Sequence, residues 1–408
     1  MKKSKKQILL SLILTVMFQC FSFGQGSTYS GSYVVSKPIV WNGVNNAIIS
    51  KLQITNTSGH CISLINCSNI TIEDCKLGPS LGNAVDIDHC TNITITNCSM
   101  ANIASGVYVC TGSGISVTYN DILNVQGPFP RGQMVQFNTV SGTGNRINYN
   151  SCDNISGQSN PEDLVNLFKS NGTINDPIQV IGNWIRGGGP STSGGGLLAG
   201  DNGGSYQLFE NNICVNTANE GIEVAGGHDI TVNNNTFYSQ KTAISGVAIS
   251  VYNQCIDPSF NITVQNNQTN WTHYSGVLNN LCDAGKSGVI TGWSTNIYDP
   301  NLNSSILPPI IIGKAQGVTT ETIPITLNEK YNIYPNPFYG HLSIEKSTIP
   351  INEKIFIYNL NGQQIIEQTL NDSKTDINTN TLSAGVYILK IMKDNKIIDV
   401  RKIIAGVN

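Results

Sequence analysis

Residues 161–173 read PEDLVNLFKSNGT and bring together the side chains an elimination reaction uses. Glu162 and Asp163 precede a short apolar stretch, Asn166 lies within it, and Lys169 stands at its exit. β-Elimination on a uronic acid polymer needs a base for the proton α to the carboxylate. It also needs a cation to neutralise that carboxylate and an acid for the leaving oxygen. Lys169 suits the base if burial or a neighbouring cation lowers its pKa. Arg186, seventeen residues on, suits the carboxylate or the leaving group. Glu162, Asp163 and Asn138 are hard oxygen donors of the kind Ca²⁺ takes, so calcium is the cofactor this chemistry would use. The plainer alternative is a surface ion pair between Asp163 and Lys169.

A second constellation spans residues 194–204, GGGLLAGDNGG, and 219–229, NEGIEVAGGHD. Asp201 and Glu223 supply two carboxylates, which Glu220 or His228 can join. Glycoside hydrolysis requires two carboxylates across a groove, and glycines let a sugar ring approach the backbone closely. Asn166, Phe168, Glu220, His228 and Tyr252 are the expected substrate-binding set, the aromatic rings as stacking surfaces. Taken alone, Asp201 reads as the cap of a glycine-rich turn, and His228 as a corner residue.

These residues need a scaffold that lines them up, and the chain repeats itself. CSNITIEDC (67–75) returns as CTNITITNC (90–98), and looser copies follow at 112–120, 227–235 and 259–267. Self-similarity at this period marks a solenoid, in which each unit buries its apolar side only by stacking on its neighbours. Each copy holds a short alternating strand between Asn-, Gly- or Ser-rich corners. The inward pairs align as Ile62/Leu64, Val85/Ile87, Val107/Val109, Val135/Phe137, Val165/Leu167, Leu197/Ala199, Ile222/Val224 and Ile249/Val251. The outward row between them is Ser63, Asp86, Tyr108, Gln136, Asn166, Leu198, Glu223 and Ser250. One step on lie Asp88, Cys110, Asn138, Phe168, Gly200, Ala225 and Tyr252. The pattern predicts a ladder from Ala47 to about Asn296, about ten coils, with residues 25–45 capping the first. Asn66, Asn69, Asn92 and Asn261 match a glycosylation triplet, but read here as corner asparagines that bond to one another along the ladder.

Composition narrows the function classes. A basic start (Lys2, Lys3, Lys5, Lys6) precedes an apolar run to Phe23, the pattern of a Sec signal peptide over residues 1–24. Without those four lysines the charge is 23 − 4 − 26 = −7, with no basic field for nucleic acid. No second apolar stretch is long enough to span a bilayer. Ten cysteines remain once Cys20 is removed with the signal. Cys67/Cys90, Cys75/Cys98 and Cys255/Cys282 are expected to stack on successive coils, about 4.8 Å apart. That spacing permits either disulfides or a ladder of buried thiols.

After Pro308-Pro309 the composition changes. Residues 313–328 read as a linker, and 329–408 as a small antiparallel β-sandwich. YNIYPNPFYGHLSIE (331–345), KIFIYNLNGQQI (354–365), LSAGVYILKI (382–391) and RKIIA (401–405) resemble the C-terminal sorting domain of type IX secretion cargo from Bacteroidetes. That resemblance implies export across the outer membrane, the secretion machinery as partner, and a secreted or surface location. The repeats resemble the right-handed parallel β-helix of the pectate-lyase-like superfamily, so residues 25–312 are expected to fold that way. Residues 161–186 are similar to the chondroitinase-B and alginate-lyase type of β-helix enzyme, where acidic calcium ligands precede a catalytic lysine and an arginine follows. Here Leu164 stands where the second acidic ligand would fall, and the Lys169-to-Arg186 spacing is shorter. The expected function is a monomeric polysaccharide lyase with Lys169 as base. A glycoside hydrolase using Asp201 and Glu223, or a non-catalytic glycan-binding rod, are the alternatives.

Overall fold

The computed structural model describes residues 26–313, 331–346, 350, 352–359, 364–393 and 396–406. The expected signal segment and most of the expected linker lie outside them. The chain divides between residues 318 and 319 into two compact units.

The first unit is a parallel β-helix of about ten turns, each with three faces. On the front face, Ile39–Asn42, Ile62–Ile65, the opening of Val85–Thr96 and of Val107–Thr118, Val135–Val140, Val165–Asn171, the opening of Leu197–Glu210, Glu220–Val224, Val247–Val251 and Leu281–Asp283 stack in order. The back face runs from Val34–Ser36 to Ile297–Tyr298 as a separate sheet. The base face, from Asn45–Ser50 to Phe260–Gln265, continues from the front face around a corner. The ladder therefore begins before Ala47: Ile39 already pairs with Ile62, so part of the expected cap belongs to the first coil.

Every inward pair read from the sequence is buried in register, from Ile62/Leu64 through Ile249/Val251. Each Val, Leu, Ile or Phe among them contributes about 1.5–3 kcal/mol by leaving water. Corners are turned by residues in the left-handed region, among them Asn69 (φ 54°), Asn92 (53°), Asn234 (54°) and Asn266 (55°). Asparagine tolerates that conformation because its short amide bonds locally. Exposed Asn46, Asn69 and Asn92 bond in series, each 3.0 Å from the next.

A second amide ladder is buried. Asn120, Asn150, Asn183, Asn212, Asn235, Asn267 and Asn296 occupy one column, each side-chain oxygen accepting from the backbone N–H of the previous member at 2.8–3.1 Å. Cys75 and Cys98 head the same column. The Cys98 N–H donates to Asn120 Oδ1 at 2.9 Å, while its thiol donates to Thr96 O at 3.3 Å. Thiols thus take the place of amides in the first coils. All ten described cysteines are free. Cys67 and Cys90 stack as expected, the Cys67 N–H donating to Cys90 Sγ at 3.2 Å. Cys255 and Cys282 do not: Cys282 pairs with Ser250, because the chain after Val251 leaves the ladder and carries Cys255 off the strand. Burial pushes the Cys90 thiol up to about 11 and Cys98 well above its ordinary value, so little nucleophilic thiolate forms. Thiol titration of the folded protein should therefore label exposed Cys282 quickly and the buried Cys61, Cys67, Cys75, Cys90, Cys98, Cys152 and Cys214 only on unfolding. A reductant should leave the melting temperature unchanged; a fall would reveal disulfides.

The C-terminal unit has two antiparallel sets of strands, Asn332–Tyr339 with His341–Glu345 and Lys374–Asn378, and Gln364–Leu370 with Glu353–Tyr358, Gly385–Lys393 and Lys396–Ala405, linked by one parallel pairing of Phe338 with Ala405. They share a core that includes Phe338, Leu342, Ile355, Ile357, Leu389 and Ile391.

Candidate functional site

The front face carries the site. Its register sets Asp163, Gly195 and Glu220 in one column, two residues before the paired Val165, Leu197 and Ile222. The next outward column is Gln136, Asn166, Leu198 and Glu223. A bulge follows. Gly200 (φ 62°) is an extra residue, so Asp201 rather than Gly200 lies opposite Phe168. A Cβ on Gly200 would sit 2.1 Å from Gly226 O, so only glycine fits. The bulge places Asp201 on the strand itself, in place of the turn-capping position its sequence suggested.

Four carboxylates on three successive coils therefore share this face: Asp163, Asp201, Glu220 and Glu223. Asp163 Oδ1 accepts from the Gly195 N–H at 3.0 Å. Asn166 Nδ2 donates to Asp201 Oδ2 at 2.8 Å and more weakly to Asp163 Oδ2 at 3.4 Å. Glu220 Oε1 accepts from Asn219 Nδ2 at 2.5 Å, and Glu223 Oε1 from Gln254 Nε2 at 2.8 Å. Gly195 keeps the space between Asp163 and Glu220 open, since a Cβ there would meet Glu220 Oε2 at 2.9 Å. Among the described residues no Lys or Arg forms an ion pair with any of the four.

Burial and mutual repulsion hold protons on this group. Glu220 is pushed up to about 9, first by burial, then by Glu223 and Asp163. Burial raises Asp163 to about 7 against the Gly195 N–H, with Asp201 and Glu162 adding to the rise. Asp201 is raised by burial and lowered by the Asn166 amide. Glu223 is raised by burial and by Asp201, and lowered by Gln254. One neutral acid beside a more readily ionised carboxylate is the arrangement acid–base catalysis uses.

The lysine and arginine of the elimination reading are not brought together. Lys169 sits at a left-handed corner within Val165–Asn171 (φ 49°), exposed, its Nζ 5.3 Å from the Phe168 ring centre. Arg186 lies on the back face, where Asp153 binds it at 2.9 and 2.5 Å and the carbonyls of Pro308 and Pro309 take further donors. It anchors the chain leaving the last coil. The calcium set is not assembled either. Asn138 pairs with Phe168, five residues along the chain from Asp163, and its amide bonds Tyr108 and Thr139. Glu162 accepts from Ser193 Oγ at 3.2 Å. Among the described residues no three His, Cys, Asp or Glu are placed to hold a metal ion.

His228 also stands apart, opening the base-face strand His228–Asn233. It stacks on Phe260 at 4.5 Å and bonds Asp229 at 2.6 Å, a corner role. Tyr252 directly follows the front strand Val247–Val251, one coil beyond Glu223, with the Lys286 ammonium 4.7 Å from its ring centre. The sequence reading assigned Asp163 to metal and passed over Gln136, Asn219 and Gln254. Extending the aligned inward pairs two residues backward would have put Asp163 and Glu220 in one column.

Residues 38–205 match the family described as right handed beta helix region, and residues 332–406 match the secretion system C-terminal sorting domain. No curated protein matches the sequence. Among solved structures, the chain is similar to the catalytic domain of a GH87 α-1,3-glucanase in complex with nigerose, at 11% identity and TM-score 0.40. That likeness covers 67% of this chain and 62% of the glucanase domain, less than two thirds of its length. It is also similar to a tailspike protein mutant of E. coli bacteriophage HK620 in complex with a pentasaccharide, at 11% identity and TM-score 0.37, covering 92% of this chain and 86% of that one. Likeness at these identities concerns the fold alone. The chain is a right-handed parallel β-helix joined to a type IX secretion sorting domain, a protein addressed to the cell surface or beyond it.

Proposed function

We propose that the protein is a secreted glycoside hydrolase whose catalytic groove is the front face at Asp163, Asp201, Glu220 and Glu223. The observation that carries this reading is the carboxylate group itself, four acids on three coils, none of them in an ion pair among the described residues. Glu220 keeps its proton at neutral pH and serves as general acid to the glycosidic oxygen. Asp201, favoured as the anion by the Asn166 amide, serves as base or nucleophile, with Glu223 beside it. Elimination is less well supported, because its charge neutraliser, Arg186, is committed to Asp153 on another face. Residues 1–24 fit the role of a Sec signal that precedes sorting by the C-terminal unit.

The test is release of reducing ends from neutral and uronic polysaccharides by the full chain, with near-ultraviolet absorbance followed in parallel. Hydrolysis predicts reducing ends without absorbance. Absorbance that Lys169→Ala abolishes would replace this reading with a lyase, and silence in both would leave a binding rod. The pH profile follows from the two roles. Activity should fall as pH rises through the Glu220 value near 9, where the acid loses its proton. It should also fall on the acid side, below a value above that of an ordinary aspartate, where Asp201 gains one. A rate flat across pH 8–10 would remove Glu220 from the acid role.

A further inference from the structure

Two acceptors on the floor of the groove have no donor. Gln136 and Asn166 are directly paired on neighbouring coils and point out of the helix beside the carboxylates. Asn166 is only 5% exposed, yet its Oδ1 has no hydrogen-bond partner, and neither does Gln136 Oε1. The Asn166 amide cannot simply be turned over, because its Nδ2 donates to Asp201 at 2.8 Å. Its free end is therefore the carbonyl oxygen. Buried acceptors left without donors are costly, and two of them on paired residues would be satisfied by a ligand that donates.

The surroundings narrow that ligand further. Leu198 separates Asn166 from Glu223 in the same outward column, and Phe168 lies opposite Asp201. These are apolar tiles between polar rows, which suits the C–H face of a sugar ring. An anionic sugar would bring its carboxylate, an acceptor without a proton, to acceptors that need donors and to Asp201, the acid that the Asn166 amide favours as the anion. A hydroxyl-bearing neutral ring has the donors the site lacks.

We propose that Gln136 and Asn166 form a subsite that accepts hydrogen bonds from sugar hydroxyls, and that the glycan bound in this groove is a neutral one. The proposal rests on the hydrolase reading for the location of the groove, but it concerns recognition and can be measured without turnover. Asn166 has a positioning role as well, since the same amide that faces the sugar holds Asp201.

Affinity electrophoresis tests it, using the full chain carrying Glu220→Gln so that the glycan stays intact. The gels contain soluble β-glucan, α-glucan, mannan or xylan, or else polygalacturonate or alginate. The expected result is retardation by at least one neutral glycan and by neither uronic polymer. Gln136→Leu and Asn166→Leu should each weaken that retardation about tenfold, the size expected from losing one hydrogen bond to the ligand. Melting curves establish that each variant is folded, and the half-exposed Gln136 supplies the answer if Asn166→Leu does not fold. Equal or stronger retardation by polygalacturonate or alginate overturns the proposal. So does wild-type affinity in folded leucine variants, and so does the absence of retardation by every neutral glycan. Retardation that depends on Gln136, from a wild-type chain that releases no reducing ends, would sink the hydrolase reading and leave this one standing.

Discussion

Replacing Glu220 with glutamine is expected to lower kcat/KM for glycan hydrolysis by about 10²–10⁴-fold, the range general acid catalysis supplies. Glutamine keeps the shape and the bond to Asn219 but has no proton to give the leaving oxygen. The same change should stabilise the protein at alkaline pH. The folded chain holds the Glu220 proton up to about 9, whereas the unfolded chain releases it near the ordinary value of 4.5. Between those values the folded state binds more protons than the unfolded one, so stability falls as pH rises. Below both values the contribution disappears. The melting temperature of the wild type should therefore drop from pH 5 to pH 9, and Glu220→Gln should flatten that slope while matching the wild type near pH 4. A variant that loses activity and also melts lower at pH 8 would show Glu220 to be a structural residue.

The other large effect is expected far from the groove. Asn183→Ala should destabilise the β-helix by about 4 kcal/mol or more. Its side-chain oxygen accepts from both the N–H and the amide of Asn150 at 3.0 Å, and its own amide donates to Ile147 O at 2.8 Å. Removing it breaks these three bonds and the one from its amide to Asn212 Oδ1 at 2.9 Å, four buried hydrogen bonds worth about 0.5–1.5 kcal/mol each, and leaves the Asn150 N–H without its acceptor. The exposed ladder provides the contrast. Asn92→Gly keeps a residue that tolerates the left-handed corner (φ 53°) and loses only a bond that water can replace, so about 0.5 kcal/mol is expected. Denaturant melts of the two variants compare them directly. Equal losses would mean that the buried column does not hold the coils in register.

Much of this molecule was legible in the residues. Period, strand phase and inward pairs follow from alternating apolar positions such as Ile93/Ile95, because one face of every strand must be buried. The sorting domain was readable from its quotable strands. What misled was position around the coil. Lys169 and Arg186 are close in sequence, but a β-helix coil turns from front to back face over such a span, so sequence proximity placed them on opposite sheets. Asp201 was displaced by a single inserted glycine, Gly200, whose effect on the outward row no periodicity reveals. Cys255 and Cys282 were expected at equivalent positions of successive coils, but the loop after Val251 takes up residues outside the ladder. Glu220 and Asp163 share a column through Gly195, which carries no side chain and so left no mark in the sequence of outward residues.

The central claim is that this groove adds water across a glycosidic bond. Digestion of neutral glycans in water enriched in oxygen-18, followed by mass spectrometry of the products, tests that step directly. The account predicts one labelled oxygen per bond cleaved, with no label above background from the Glu220→Gln chain. Unsaturated, unlabelled products from a uronic polymer would contradict it, because elimination cleaves without taking up water.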